Sequence, residues 1–154
     1  MAGTRRTQFS RLTQILGWDE NDAHKQSSDG LYHYHGDPDV YADSLGIDGV
    51  MHSSIIGWAA DGYPIYYKYA FSDPNDMTSA IVELSSCWTI RSGDRSTLGY
   101  ANYPSGNFDG EYIADYEYGA IGTANCDLDS ANGRWARTPE FPNGTYHYVI
   151  TTDW

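Results

Sequence analysis

One short pattern occurs twice in this chain and constrains it more than any other feature. Residues 29–36 read DGLYHYHG and residues 143–150 read NGTYHYVI. In each copy an Asx-Gly pair is followed by one residue and then Tyr-His-Tyr. Asx-Gly supplies the positive φ of a turn, and the tyrosines behind it favour a strand. Strand side chains alternate between faces. Tyr32 and Tyr34 therefore share one face, and His33 and His35 share the other. Two imidazoles two residues apart on one face present a pair of metal ligands on rigid backbone. The second copy offers His147, with Val149 standing where a fourth histidine would be.

The rest of the chain repeats the β-and-turn theme. Its 154 residues suit one domain with its own core. The 14 Tyr and 5 Trp favour strands, and the 16 Gly favour turns between them. Strands are expected at Leu31–His35, at His52–Ala60 and at Tyr63–Tyr69, the last two forming a hairpin around Asp61-Gly62. Pro64 places the start of the second of these at an edge or a bulge. A strand over Ile81–Ile90 is favoured over a helix capped by Asp76. Residues 111–118 alternate as a strand, and Thr145–Thr151 is the last. GDPDVYADSLGIDGV and residues 91–110 read as loops.

These elements predict an all-β fold: an antiparallel sandwich or barrel-like domain with long Gly/Asp-rich loops and at most one short helix. Residues 1–28 read as a polar N-terminal arm or edge segment, and residues 29–154 as a single β domain. Within the arm, Thr4–Gly17 reads as an extended arm, an edge strand or a short helix. Cys87 and Cys126 form either one disulfide or two buried thiols; spacing alone does not decide.

Charge removes some classes of function. The formal net charge is −12, which repels phosphate backbones and argues against nucleic-acid binding. No run of about 18 apolar residues is present, so no membrane-spanning helix is expected. Arg5-Arg6 precedes TQFSRLTQILGW, which is too polar for an export segment.

His33, His35 and His147 are the candidate metal ligands, with His52 as the candidate fourth. Neutral imidazole suits zinc and copper. Tyr32, Tyr34 and Tyr146 flank the histidines. Asp61 and Asp129 read first as turn residues, while Asp115 and Glu117 share a strand face. All four carboxylates are candidates to support or orient imidazoles. His24, in the polar run DAHKQ, reads as solvated. Calcium is a weaker prospect: Asp127, Asp129 and Asn132 resemble a calcium loop, but Ala131 occupies a ligand position and no closing Glu follows. None of Ser53, Ser54, Ser85 or Ser86 sits in a nucleophile elbow. Any catalysis would therefore run through a metal with an open coordination position.

The blocks DGLYHYH, HSSIIGWAADGYPIY, SGNFDGEYIADYEY and LDSANGRWARTPEFPNGTYHYVITTDW, in that order, resemble the YHYH-domain family. The match runs from about Asp29 to Trp154. The resemblance implies a secreted, cell-surface or virion setting and prescribes no reaction. Ser130 and Ala131 stand where relatives often carry Glu and Cys, so a disulfide made there in relatives is not expected here.

A second class of function is a structural or adhesive module of a virion or cell surface. In that reading the N-terminal arm adds to a neighbouring subunit's sheet or drives self-association. The aromatic side chains would then contact a partner or a glycan.

Overall fold

The computed structural model describes residues 17–99, 104–119, 121–122 and 124–152. The expectation for residues 4–16 lies outside these. The architecture is all-β, as expected, but built from four small sheets, and none closes into a barrel among the described residues. The largest has four strands in the order β3-β4-β10-β9. These are β3 (Ile55–Trp58), β4 (Pro64–Tyr67), β9 (Gly133–Ala136) and β10 (Thr145–Ile150). There are three two-stranded sheets besides: β1 (Ala23–Lys25) with β2 (Tyr32–Tyr34), β5 (Tyr69–Phe71) with β6 (Ile81–Glu83), and β7 (Trp88–Ile90) with β8 (Tyr116–Tyr118).

The β3–β4 hairpin turns at Asp61-Gly62, with Gly62 at φ 89°. Pro64 opens β4, where its missing N–H is tolerated, and the register shifts between Ile55 and Gly57. One pairing departs from the antiparallel expectation: β10 runs parallel to β4. The long crossover between them makes this possible, since parallel neighbours cannot be joined by a tight turn.

β10 sits between β4 and β9, so its two flanks are both hydrogen-bonded. Its inward face carries Val149, which packs with Ala70, Leu84 and Leu128. A second core joins Ala42, Ile47 and Tyr67, with Ile56, Tyr69 and Ile150 against it.

The segment expected to be strand at 81–90 is two strands, broken at Leu84–Cys87. Asp76 caps only a turn, accepting from the Thr78 backbone N–H at 2.8 Å. The expected strand at 111–118 is strand only at its end. Ile113–Asp115 is a 3-10 turn, because Asp115 turns inward to bind Arg95. The one α-helix among the described residues, α1 (Asp39–Ser44), lies in what reads as a loop. It ends in a Schellman motif: Gly46 at φ 73°, its N–H bonded to Asp43 O, and Ile47 N–H bonded to Ala42 O. The accompanying apolar contact is between Ala42 and Ile47.

Cys87 and Cys126 are joined by a disulfide. It ties β7 to the loop that precedes β9.

Candidate metal centre

β1 and β2 form an antiparallel hairpin in which His24 stands directly opposite His33. Directly opposed residues share a face. His35 follows two residues after His33 and returns to that face. Three imidazoles therefore meet on one side of a two-stranded sheet, with Tyr32 and Tyr34 on the other. His24 Nε2 lies 3.0 Å from His35 Nε2, and His35 Nε2 lies 2.9 Å from His33 Nε2. His24 and His33 are half-buried and His35 is exposed, so the cluster opens to solvent.

Protons alone do not satisfy this arrangement. His33 Nδ1 lies 3.2 Å from the Leu31 carbonyl, a contact only an N–H can make. The neutral His33 ring therefore presents a bare lone pair at Nε2. His35 Nε2 faces two nitrogens at once and carries at most one proton, so it can serve only one of them well. Burial, then the neighbouring His33 and His24, lower the His35 pKa and favour its neutral, ligating form. Tetrahedral zinc with three imidazoles holds their nitrogens ~3.3 Å apart. The two pairs that include His35 fall within about half an ångström of that spacing, and all three ligand atoms lie within 4.8 Å of one another.

The surroundings fix the cluster in place. Trp18 stacks on His35 with ring centroids 4.8 Å apart. On the far face Tyr32 donates to Asp19 at 2.5 Å, which pushes the phenol up to about 12 and lowers the carboxylate. Tyr34 packs edge-on against Tyr32. Beyond His35 the chain is anchored by Lys68, whose Nζ lies 2.8 Å from Asp37 and 2.8 Å from Thr152 Oγ1. Tyr67 donates to Asp39 at 2.6 Å.

His147 and His52 lie elsewhere. β2 and β10 belong to different sheets, so the two Tyr-His-Tyr copies are not side by side. His147 is fully buried, its ring 5.0 Å from that of Tyr66. His52 packs on Tyr66 at 5.2 Å and on Phe71 at 5.0 Å. Each turns Nδ1 to a backbone carbonyl, His147 to Thr145 O at 3.3 Å and His52 to Ser53 O at 2.9 Å. Each leaves Nε2 buried without a partner. Burial, with the Arg134 cation opposite, pushes His147 down to about 4; burial also lowers His52. This second pair is neutral and internal, whereas the triad is open.

The candidate carboxylates are engaged with other partners. Asp61 accepts from Tyr148 Oη at 2.5 Å, and Asp129 from Tyr146 Oη at 2.8 Å. Glu117 pairs with Arg91 at 3.2 Å. Asp115 is fully buried and takes both Nε and Nη2 of Arg95, at 2.7 and 2.8 Å. That guanidinium, with the Asp109 and Tyr112 N–H groups, holds its carboxyl well below the usual carboxylate range. The Asp127–Gly133 loop turns its oxygens onto its own chain: Asp129 Oδ1 accepts from the Ala131 and Gly133 N–H groups, and Asp127 accepts from Ser85 N–H.

His24 is the residue that sequence reading passed over. The signal was present in part: it lies nine residues before His33, a separation that the observed hairpin, with its loop at residues 27–30, folds into direct opposition.

What emerges is a disulfide-braced β domain with a solvent-facing histidine triad. Residues 3–154 match the family described as YHYH protein, and the chain belongs to that family. Neither the curated proteins nor the solved structures contain a match to it.

Proposed function

We propose that this domain binds a zinc or copper ion through the Nε2 atoms of His24, His33 and His35. The observation that carries this is the gathering of three imidazole nitrogens within 4.8 Å of one another, His35 Nε2 at 3.0 and 2.9 Å from the other two, and one with its lone pair fixed by a backbone carbonyl. Such outer hydrogen bonds to Nδ1 set the tautomer and orientation of ligating histidines. Three protein ligands would leave a fourth position for water or an exogenous donor, and the exposure of His35 supports a position reached from solvent. A structural zinc site is usually closed by four protein ligands, so this one is read as an exchange-competent centre.

The setting proposed is extracellular, cell-surface or virion. The Cys87–Cys126 disulfide supports it, since such bonds persist in oxidising compartments. The acidic surface is consistent with it.

The test is metal content by plasma mass spectrometry on protein prepared without a polyhistidine tag, after exposure to zinc or copper and desalting. Near-stoichiometric metal, lost in a His33→Ala/His35→Ala double variant, is the expected result. Equal metal in both proteins, or none in either, would remove the proposal.

A further inference from the structure

The outward face of β9 and β10 carries a fixed row of aromatic rings. Trp135 and Tyr146 are register partners and share this face; Tyr148 lies two residues further along it. Tyr63, at the end of the β3–β4 turn, brings its ring to 5.2 Å from Tyr146, which is itself 5.3 Å from Tyr148. Trp135 is 63% exposed and Tyr63 is 40% exposed. Aromatic side chains at a surface are ordinarily free to change rotamer, yet the two partly exposed tyrosines of β10 are held. Tyr146 is tied to Asp129 and Tyr148 to Asp61. Gly133 lies under Tyr146, where a Cβ would stand 2.2 Å from the hydroxyl. Gly144, at φ +93°, lies under the Trp135 indole, where a Cβ would stand 2.7 Å from Nε1. Two carboxylates thus hold Tyr146 and Tyr148, and two glycines let Tyr146 and Trp135 lie close to the sheet, with Trp135 and Tyr63 the most open to solvent. The buried histidine pair and the triad use none of these groups.

We infer that this face binds a neutral polysaccharide chain. Sugar rings stack their C–H faces on aromatic rings and donate hydroxyl protons to carboxylates, and the face offers both. The ring-to-ring spacing is comparable with one pyranose unit, and the rings already fixed need little ordering on binding. The rings meet edge to face, at 75° and 87°. That stepped row suits a single hydrated chain better than the flat surface of a crystalline polymer. Charge selects the same ligand: the row has carboxylates at its margins and the chain carries −12, which disfavours sulfated or sialylated glycans. Area disfavours a protein partner. Two exposed and two partly buried rings offer at most roughly 300–500 Å², against about 800 Å² per partner in a standard protein interface.

The test is native gel electrophoresis through gels containing hydroxyethyl cellulose, galactomannan or laminarin, with dextran sulfate as the anionic comparison. At least one neutral polymer is expected to retard the protein. Trp135→Ala, checked for folding by circular dichroism, is expected to weaken that retardation about tenfold, and Trp135→Phe to weaken it less. The His33→Ala/His35→Ala variant is expected to be retarded like the parent, which separates this face from the metal centre. Mobility unchanged by every neutral polymer would overturn the inference. So would equal retardation of the parent and Trp135→Ala, or retardation by dextran sulfate alone.

Discussion

His24 Nε2 lies 3.0 Å from His35 Nε2 although eleven positions separate the two residues, because the β1–β2 hairpin sets His24 opposite His33. Each ligand of the triad is therefore expected to matter about equally. His24→Ala should lower zinc or copper affinity as much as His33→Ala, beyond the 10–100-fold loss typical of removing an outer-shell partner, on the order of 100-fold or more. His147→Ala should leave the stoichiometry unchanged. Isothermal titration of the three variants separates a triad containing His24 from one containing His147.

Trp18 stacks on His35, so its emission reports on the centre. Titration with Cu(II) is expected to quench the Trp18 share of the fluorescence, roughly a fifth if the five tryptophans contribute equally. Trp18→Phe should abolish the saturable part of the quenching. Unchanged quenching in that variant would place the copper elsewhere.

The buried histidines give the fold a pH dependence of definite sign. His147 falls from an ordinary 6.5 to about 4 in the folded protein, so the unfolded chain binds its proton first. The stability from its neutral form is complete above pH 6.5 and is lost as pH falls from 6.5 toward 4. By pH 5 the loss is about 2 kcal/mol, and His52 adds in the same direction. Urea midpoints measured at pH 7 and pH 5 should show it, and His147→Leu should flatten the difference.

Reduction of the Cys87–Cys126 bond releases a loop of 39 residues of sequence separation. Loop-closure entropy sets the expected destabilisation at about 4 kcal/mol. Denaturation with and without a reductant measures it. A Cys87→Ser/Cys126→Ser variant should match the reduced protein.

Gly133→Ala would push a Cβ into the Tyr146 ring and break the bond to Asp129. Overpacking of this kind costs about 1–3 kcal/mol. Adding Tyr146→Ala to that variant should recover part of it. Additive losses in the double variant would show that the two residues do not clash.

Much of this architecture is legible in local sequence. The Asp29-Gly30, Asp61-Gly62 and Asn143-Gly144 pairs mark real turns, each with its glycine at positive φ. The sharing of one face by His33 and His35 follows from strand periodicity. Contacts decided by pairing partners are less legible. The two Tyr-His-Tyr copies look alike but bury their histidine faces to different depths: Val149 is drawn into the core with His147, while His33 is half-buried and His35 stays at the surface. Their tyrosines differ too, since the second copy lies inside a four-stranded sheet and the first in an isolated pair. The strand pattern at 111–118 gave way because Arg95 binds Asp115 more strongly than a ladder would use it. Helix α1 had a readable stop signal, Leu45-Gly46-Ile47, obscured by the many aspartates around it.

The placement of β10 between β4 and β9 has a consequence for how the chain is made. Residues 145–150 supply hydrogen bonds to both neighbours and bring Val149 to Ala70, Leu84 and Leu128. During synthesis β4 emerges and must wait for its parallel partner until nearly eighty further residues have followed. Such distant closures are slow, and they leave the unpaired edge of β4 exposed meanwhile. Folding of the largest sheet is thus tied to the synthesis of residues 145–150, and a ribosome stalled before residue 145 would carry a chain with its central position still vacant.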